Sequence, residues 1–160
     1  MQLLFLLLLL VAPYLTLTLV GSRVKALDLA PAARARVGLT LFFLFTGLGH
    51  FIRTEEMARM VPPPIPYPVG IIYVTGVLEL LGAVGVWVPR LKRLTGLCLI
   101  LMLAGLLPAN IYSALNRVDF GGHAAGPAYL LLRVPFQIFV ICWTYFATGQ
   151  RWLRTRREEA

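Results

Sequence analysis

Five side chains in this sequence could do chemistry out of proportion to their number: His50, Glu79, Asn110, Arg133 and Gln137. Each interrupts an otherwise apolar run. Glu79 is the clearest, set within TGVLELLGAVG with no other charge between Arg59 and Arg90. A carboxylate there can bind a cation, accept hydrogen bonds or exchange a proton. Arg133 and Gln137 are four residues apart and therefore share a helix face, where a guanidinium and an amide can hold an oxygen-bearing group. A histidine adds a group that titrates near neutrality. Together these residues suit the polar head of a small molecule, or an acid/base step on it.

The elements that must position them follow from composition. The chain has 160 residues, 59% hydrophobic and 14% charged, with a mean hydropathy of +0.79. Soluble domains carry about 25% charged residues, so the expected class is an all-α membrane protein. The net charge of +8 raises nucleic acid as a partner, but no basic stripe with interleaved aromatics accompanies it. No nucleic-acid partner is expected. A helix needs about 20 apolar residues to span a bilayer. Five runs meet or approach that: Leu3 to Val20, Val37 to Ile52, Pro68 to Val88, Leu94 to Leu115 and Pro127 to Thr148. Pro31 can start the second helix earlier, and Pro68 and Pro127 suit first-turn positions. The first run lacks a positive n-region and a clear cleavage site, which fits an uncleaved anchor.

Lys and Arg set the direction. Eleven fall in the 21–36 loop, the 89–93 turn and the 149–160 tail; three fall in the opposite loops. The N-terminus is expected outside and the C-terminus in the cytoplasm, in the cell (inner) membrane. Trp152 and the tail arginines read as a basic interfacial anchor.

Depth then brings the polar set together. Glu79 lies roughly 16 Å along the third span and Arg133 roughly 9 Å along the fifth, with His50 and Asn110 near the outer ends of the second and fourth. Glu79 shares its face with Ile72, Thr75, Gly76, Gly82, Ala83 and Val86, an interface rich in small residues. Thr46, Gly47 and His50 align on the second span, and Thr144 continues the Arg133–Gln137 stripe. An unpaired charge at mid-bilayer costs at least about 2.5–3.5 kcal/mol. The expectation is a Glu79–Arg133 pair, direct or through Gln137 or water. Fixing helix register is the structural alternative for such a pair. His50 reads as a wet interfacial histidine and Asn110 as a partner for backbone groups freed by Pro108.

Among the loops, RTEEMARM is short and amphipathic, with Met57 and Met60 available to the membrane interface. PPPIPYP should run as extended polyproline II. In NRVDFGGHAAGP, Asp119 and His123 read as groups of a solvated, mobile loop. Cys98 and Cys142 read as buried small hydrophobes. The sharper catalytic motifs (GxSxG, HExxH, Walker and Rossmann glycine patterns) are missing, and no metal site or cofactor is indicated by spacing.

The motifs GLGHF, MVPPPIPYPVGIIYVTGVLELLGAVG, LLPANIYSA and LLRVPFQ, in this order over residues 37 to 148, resemble the DoxX-like family of small integral membrane proteins. The resemblance implies a four-helix transmembrane bundle, with residues 1–20 as an extra N-terminal transmembrane anchor helix and 149–160 as a basic cytoplasmic tail. It also implies association with sulfur, quinone and other redox systems, frequently as an accessory subunit, and in animal relatives assembly of receptor channels. His50, Glu79, Asn110, Arg133 and Gln137 fall within the matching motifs. Three functions follow as expectations. The first is an accessory subunit binding a quinone or lipid in an outer-half cluster, beside a redox or other membrane-protein partner. The second is a membrane enzyme with Glu79 as acid/base, and the third is an assembly factor. A transporter fits five spans and one small cluster less well.

Overall fold

The computed structural model describes residues 2–25 and 28–149; the tail at 150–160 lies outside the described residues. Long apolar runs become helices throughout: α1 (Gln2–Gly21), α2 (Pro31–Ile52), the short α3 (Thr54–Ala58), α4 (Pro68–Gly85), α5 (Lys92–Leu115) and α6 (Leu130–Thr148). A 3-10 segment, His123–Tyr129, leads into α6. Four of the helices, and the fifth taken together with its 3-10 lead, are long and apolar enough to cross a membrane.

Proline and glycine set the boundaries. Pro31 and Pro68 open α2 and α4, where a missing N–H costs nothing and the fixed φ suits a helix. The early start at Pro31 brings Arg34 and Arg36 inside α2. Pro127 does not open α6; it sits in the 3-10 segment just after Gly126, whose φ of 74° and ψ of −154° only glycine adopts readily. Gly149 ends α6 in the left-handed region.

α2 is the axis of the bundle, packed on α1, α4 and α6, while α5 packs on α6 and more sparingly on α4. Small residues allow the close approaches. A Cβ at Gly76 of α4 would lie 2.7 Å from the Cβ of His50 and 3.0 Å from the ring of Phe51. A Cβ at Gly38 of α2 would collide with the Leu10 backbone carbonyl of α1. Leu10, Leu39, Phe43, Val86, Leu99 and Val140 form the apolar core. Polar cross-links bind the helices further: the Trp143 indole N–H donates to the Ala35 carbonyl of α2 at 3.0 Å, and Trp87 donates to Thr40 at 2.8 Å. Gly76→Val should separate α2 from α4 and cost about 1–3 kcal/mol of stability, as overpacking of a tight contact does; thermal unfolding in detergent checks it.

α1 is part of this packing. Leu6 and Leu10 are buried in the core, Phe5 meets Phe45 with ring centroids 5.0 Å apart, and Tyr14 meets Trp143 at 5.5 Å. The outward faces carry exposed Leu, Val, Ile and Phe side chains such as Leu81, Leu101 and Leu131. Cys98 and Cys142 belong to this outer face and are exposed, not buried. A helix that is apolar all round gives no sign of which side turns inward, so their setting in the sequence was uninformative.

The two ends of the bundle differ. At one end Arg34 pairs with Asp28 at 2.7 Å and donates to Thr18 at 3.2 Å, while the Arg36 guanidinium lies 5.2 Å from the Trp87 ring centre. The other end is capped by α3 and the loops around it. PPPIPYP does not run extended: the Ile65 N–H closes a turn onto the Pro62 carbonyl at 3.0 Å, and Tyr67 takes φ 55°. The turn folds the segment back over the bundle. The Glu56 carboxyl of α3 is held below its usual range by its own backbone N–H and by Arg53.

Candidate functional site

The face predicted for α4 is the face that is buried: Ile72, Thr75, Gly76, Glu79, Gly82 and Ala83 all turn inward, and so does Val86. Glu79 is 4% exposed. Opposite it on α2 stands His50, whose Nε2 lies 3.6 Å from Glu79 Oε1. That is ion-pair distance rather than a hydrogen bond. The expected interfacial histidine is therefore buried, and it supplies the partner the sequence assigned to arginine. Its orientation is fixed from behind. Nδ1 lies 3.0 Å from the Ile72 carbonyl, and a carbonyl only accepts, so Nδ1 carries the proton and Nε2 faces the acid. Thr75 Oγ1, also 3.0 Å from Nδ1, holds the ring from a second side.

Arg133 does not pair with Glu79 directly. Its Nη1 donates to Gln137 Oε1 at 2.8 Å, and Gln137 Nε2 donates in turn to the Leu103 carbonyl of α5 at 2.6 Å. One amide thus fixes the guanidinium and ties α6 to α5. The stacking expected from the four-residue spacing is present, but geometry gives the arginine an amide where charge counting gave it the acid. Asn110 is buried on α5 and donates to the Leu106 carbonyl at 3.0 Å. The carbonyl that Pro108 leaves without its N–H is that of Ala104, four residues back, so Asn110 does not serve that group.

All five of these side chains line one cavity of about 240 Å³ at the end of the bundle covered by α3. The rest of its wall is mostly apolar: Leu6 of α1, Phe42 of α2, Leu103 and Leu106 of α5, Phe136 and Val140 of α6. Met57, Met60, Val61 and Ile65 close it above. The two methionines thus roof the cavity instead of reaching for a membrane interface. The segment Thr54–Ala58 folds back because Thr54 Oγ1 donates to the His50 carbonyl at 2.6 Å.

Sequence reasoning missed His123. It is 3% exposed, not a solvated loop residue, and it lines the same cavity. Nδ1 lies 2.8 Å from the Phe120 carbonyl, so this ring too holds its proton on Nδ1, and its Nε2 is buried with no partner. Tyr129 packs edge-on against it at 4.9 Å and donates its hydroxyl to the Gly121 carbonyl at 2.6 Å. The turn depends on Gly121 and Gly122, at φ 63° and 97°. A signal did exist: a histidine within two residues of a glycine pair, with a tyrosine six residues on, at the mouth of an apolar run.

Both histidines of the chain and its one embedded acid therefore meet in a single cavity. Glu79 Oε2, like His123 Nε2, is buried without a partner. Orphaned buried acceptors are costly, about 1–3 kcal/mol each, and such a cost is ordinarily met by ordered water or a bound group. Among the described residues no three His, Cys, Asp or Glu side chains stand close enough to hold a metal ion. The polar groups of the lining are ones that form hydrogen bonds and can exchange protons.

No curated protein and no solved structure matches the chain. A family model does, that of a domain of unknown function (DUF8561), over residues 39–148. The match runs from within α2 through α6, with His50, Glu79, Asn110, His123, Arg133 and Gln137, and leaves α1 outside although α1 walls the cavity. The chain belongs to the DUF8561 family.

Proposed function

We propose that the protein is a multi-pass membrane protein of DoxX-like type that binds the head of a small amphiphile, a quinone or a lipid, in the cavity between α2, α4, α5 and α6, as an accessory subunit of a redox system. The observation that carries this is the cavity itself: apolar walls around converging polar groups, two of them buried and unpartnered. Such a lining is the usual composition of a small-molecule site. Size argues for a head group. A cavity of about 150 Å³ takes one benzene ring and drug-sized sites run from about 300 Å³, so 240 Å³ suits a substituted ring or a compact polar head. The motif resemblance over 37–148 supports the DoxX-like assignment and the redox setting. The distribution of Lys and Arg supports a cell-membrane orientation with the cavity on the outer side, since Arg34, Arg36 and the 90–93 cluster mark the opposite end.

A tail would leave sideways. α4 and α5 touch tightly at the inner end, where Gly82 meets Leu99 and Gly85 meets Thr95. Toward the cavity they part: Gly105 lines it, is exposed on the membrane-facing side, and a Cβ there would meet nothing within 4 Å. Ala109, one turn on, lies within about 40° of the Thr95 line on the helix and also lines the cavity. The opening therefore lies on the α4 side of α5. Gly105→Trp should leave stability unchanged or slightly raised, since glycine is a poor helix former by about 1 kcal/mol. It should lower occupancy by a tailed ligand at least tenfold. Native mass spectrometry of gently extracted protein tests the whole reading: wild type should carry one small amphiphile, and wild type that is empty under conditions retaining annular lipid would overturn it.

The His50–Glu79 couple favours a second reading, in which Glu79 acts as acid/base on the bound molecule. Under it Glu79→Gln abolishes turnover while the ligand stays bound.

A further inference from the structure

Resting on the amphiphile reading, we infer that within the quinone-or-lipid class the site selects a head group that donates hydrogen bonds: a neutral, hydroxyl-bearing ring such as a hydroquinone, or a lipid polyol, in preference to the matching quinone, ketone, ether or ester. Two buried acceptors without partners carry this. Four donors of the wall are turned to backbone carbonyls, and Arg133 gives one N–H to Gln137. Thr46 gives its hydroxyl to Phe42 at 3.0 Å, Tyr129 to Gly121 at 2.6 Å, Asn110 its amide to Leu106 at 3.0 Å and Gln137 to Leu103 at 2.6 Å.

The acceptors are not spent. His123 Nε2 is a lone pair, because its Nδ1 proton is committed to Phe120, and it has no partner. Glu79 Oε2 has none either. Oε1 is the oxygen turned to the His50 ring, at 3.6 Å from Nε2, and Oε2 is not engaged by it. A ligand hydroxyl hydrogen can complete either group; a ligand that offers only oxygen lone pairs completes neither.

Charge narrows the class further. An ammonium head would satisfy the acceptors, but the Arg133 guanidinium lines the same small cavity and repels it. A phosphate or carboxylate would suit Arg133 and be repelled by Glu79. A neutral hydroxyl meets neither objection, and its oxygen can still accept from the N–H groups that Arg133 does not give to Gln137. Sites built to receive a hydroxyl hydrogen discriminate strongly against analogues that lack it, because their own buried groups are left unpaired.

A matched pair of probes tests this: a 4-alkylphenol and its methyl ether, identical in tail, bound to full-length protein in lipid vesicles, with affinities referred to the free probe in the bilayer. Wild type should bind the phenol at least tenfold tighter. His123→Phe, which keeps a ring against Tyr129, should cut that preference to threefold or less by weakening the phenol and not the ether; Glu79→Gln should reduce it in the same direction. Equal binding of the two probes to wild type, or a preference unchanged in both variants, would overturn the selectivity and leave the amphiphile site standing. Binding of neither probe to wild type would remove the site and the selectivity together.

Discussion

Glu79→Gln is expected to weaken retention of the bound amphiphile about 5- to 10-fold while shifting the unfolding temperature little. The two halves of that expectation have different causes. Glutamine is close to isosteric with glutamate, and its amide can donate toward His50 Nε2, which carries no proton when Nδ1 gives its own to Ile72. The pair becomes neutral and satisfied, so the α2–α4 packing around Gly76 survives. The ligand exchanges a carboxylate acceptor for an amide oxygen, a difference of about 1–1.5 kcal/mol, which is about 5- to 10-fold in affinity. Titration of a tailed probe against both proteins in the same vesicles measures it, alongside thermal unfolding. A variant that binds normally but unfolds far more easily would make Glu79 a packing residue only.

Gly38→Ala is expected to have the largest effect of any glycine-to-alanine change among the described residues. The added Cβ meets the Leu10 carbonyl carbon and oxygen, which are backbone and cannot swing aside as a side chain does. α1 must move off α2, taking Leu6 and Leu10 from the core. The direct cost is about 1–3 kcal/mol from overpacking, and Gly38→Leu should exceed it. The functional consequence reaches further, because Gln2, Leu3 and Leu6 of α1 wall the cavity. Displacing α1 opens that wall and should lower ligand retention even in protein that remains folded at low temperature. Cross-linking of cysteines introduced at facing positions of α1 and α2 reports the displacement; retention follows by native mass spectrometry. A Gly38→Ala variant with α1 still in place would contradict the packing described.

The inner face of α4 was legible because its signals agree. One acid and several small residues recur at helical spacing in a run without other charges, and every residue so assigned is buried. The clustering of His50, Glu79, Asn110, Arg133 and Gln137 was legible for a related reason: in an apolar chain, polar residues at similar depth have few places to go. Which of them touch was not. Arg133 was matched to Glu79 as the one cation in a span, but contact depends on helix rotation and side-chain direction. Those place His50 against the acid and Gln137 against the guanidinium. His123 was lost for the opposite reason. Its neighbours are glycines and alanines, the composition of an open loop, and only the return of the chain at Gly121 and Gly122 folds its ring under Tyr129. The proline segment was misjudged similarly, since composition gives the local preference for extension and not the turn at Pro62. The closest approach of α1 to α2 is made at Gly38, a residue indistinguishable in sequence from the other glycines of the spans.

A head group bound in the cavity would touch side chains of α2, α4, α5 and α6 at once. Photolabelling reads this directly. An amphiphile carrying a diazirine on its head, activated in vesicles holding the full chain, should leave adducts within residues 42–50, 72–79, 103–110 and 133–137 together, and lose them in competition with an unlabelled tailed phenol. Adducts confined to outward positions such as Leu81, Leu101 and Leu131, indifferent to competitor, would show that the cavity takes no ligand.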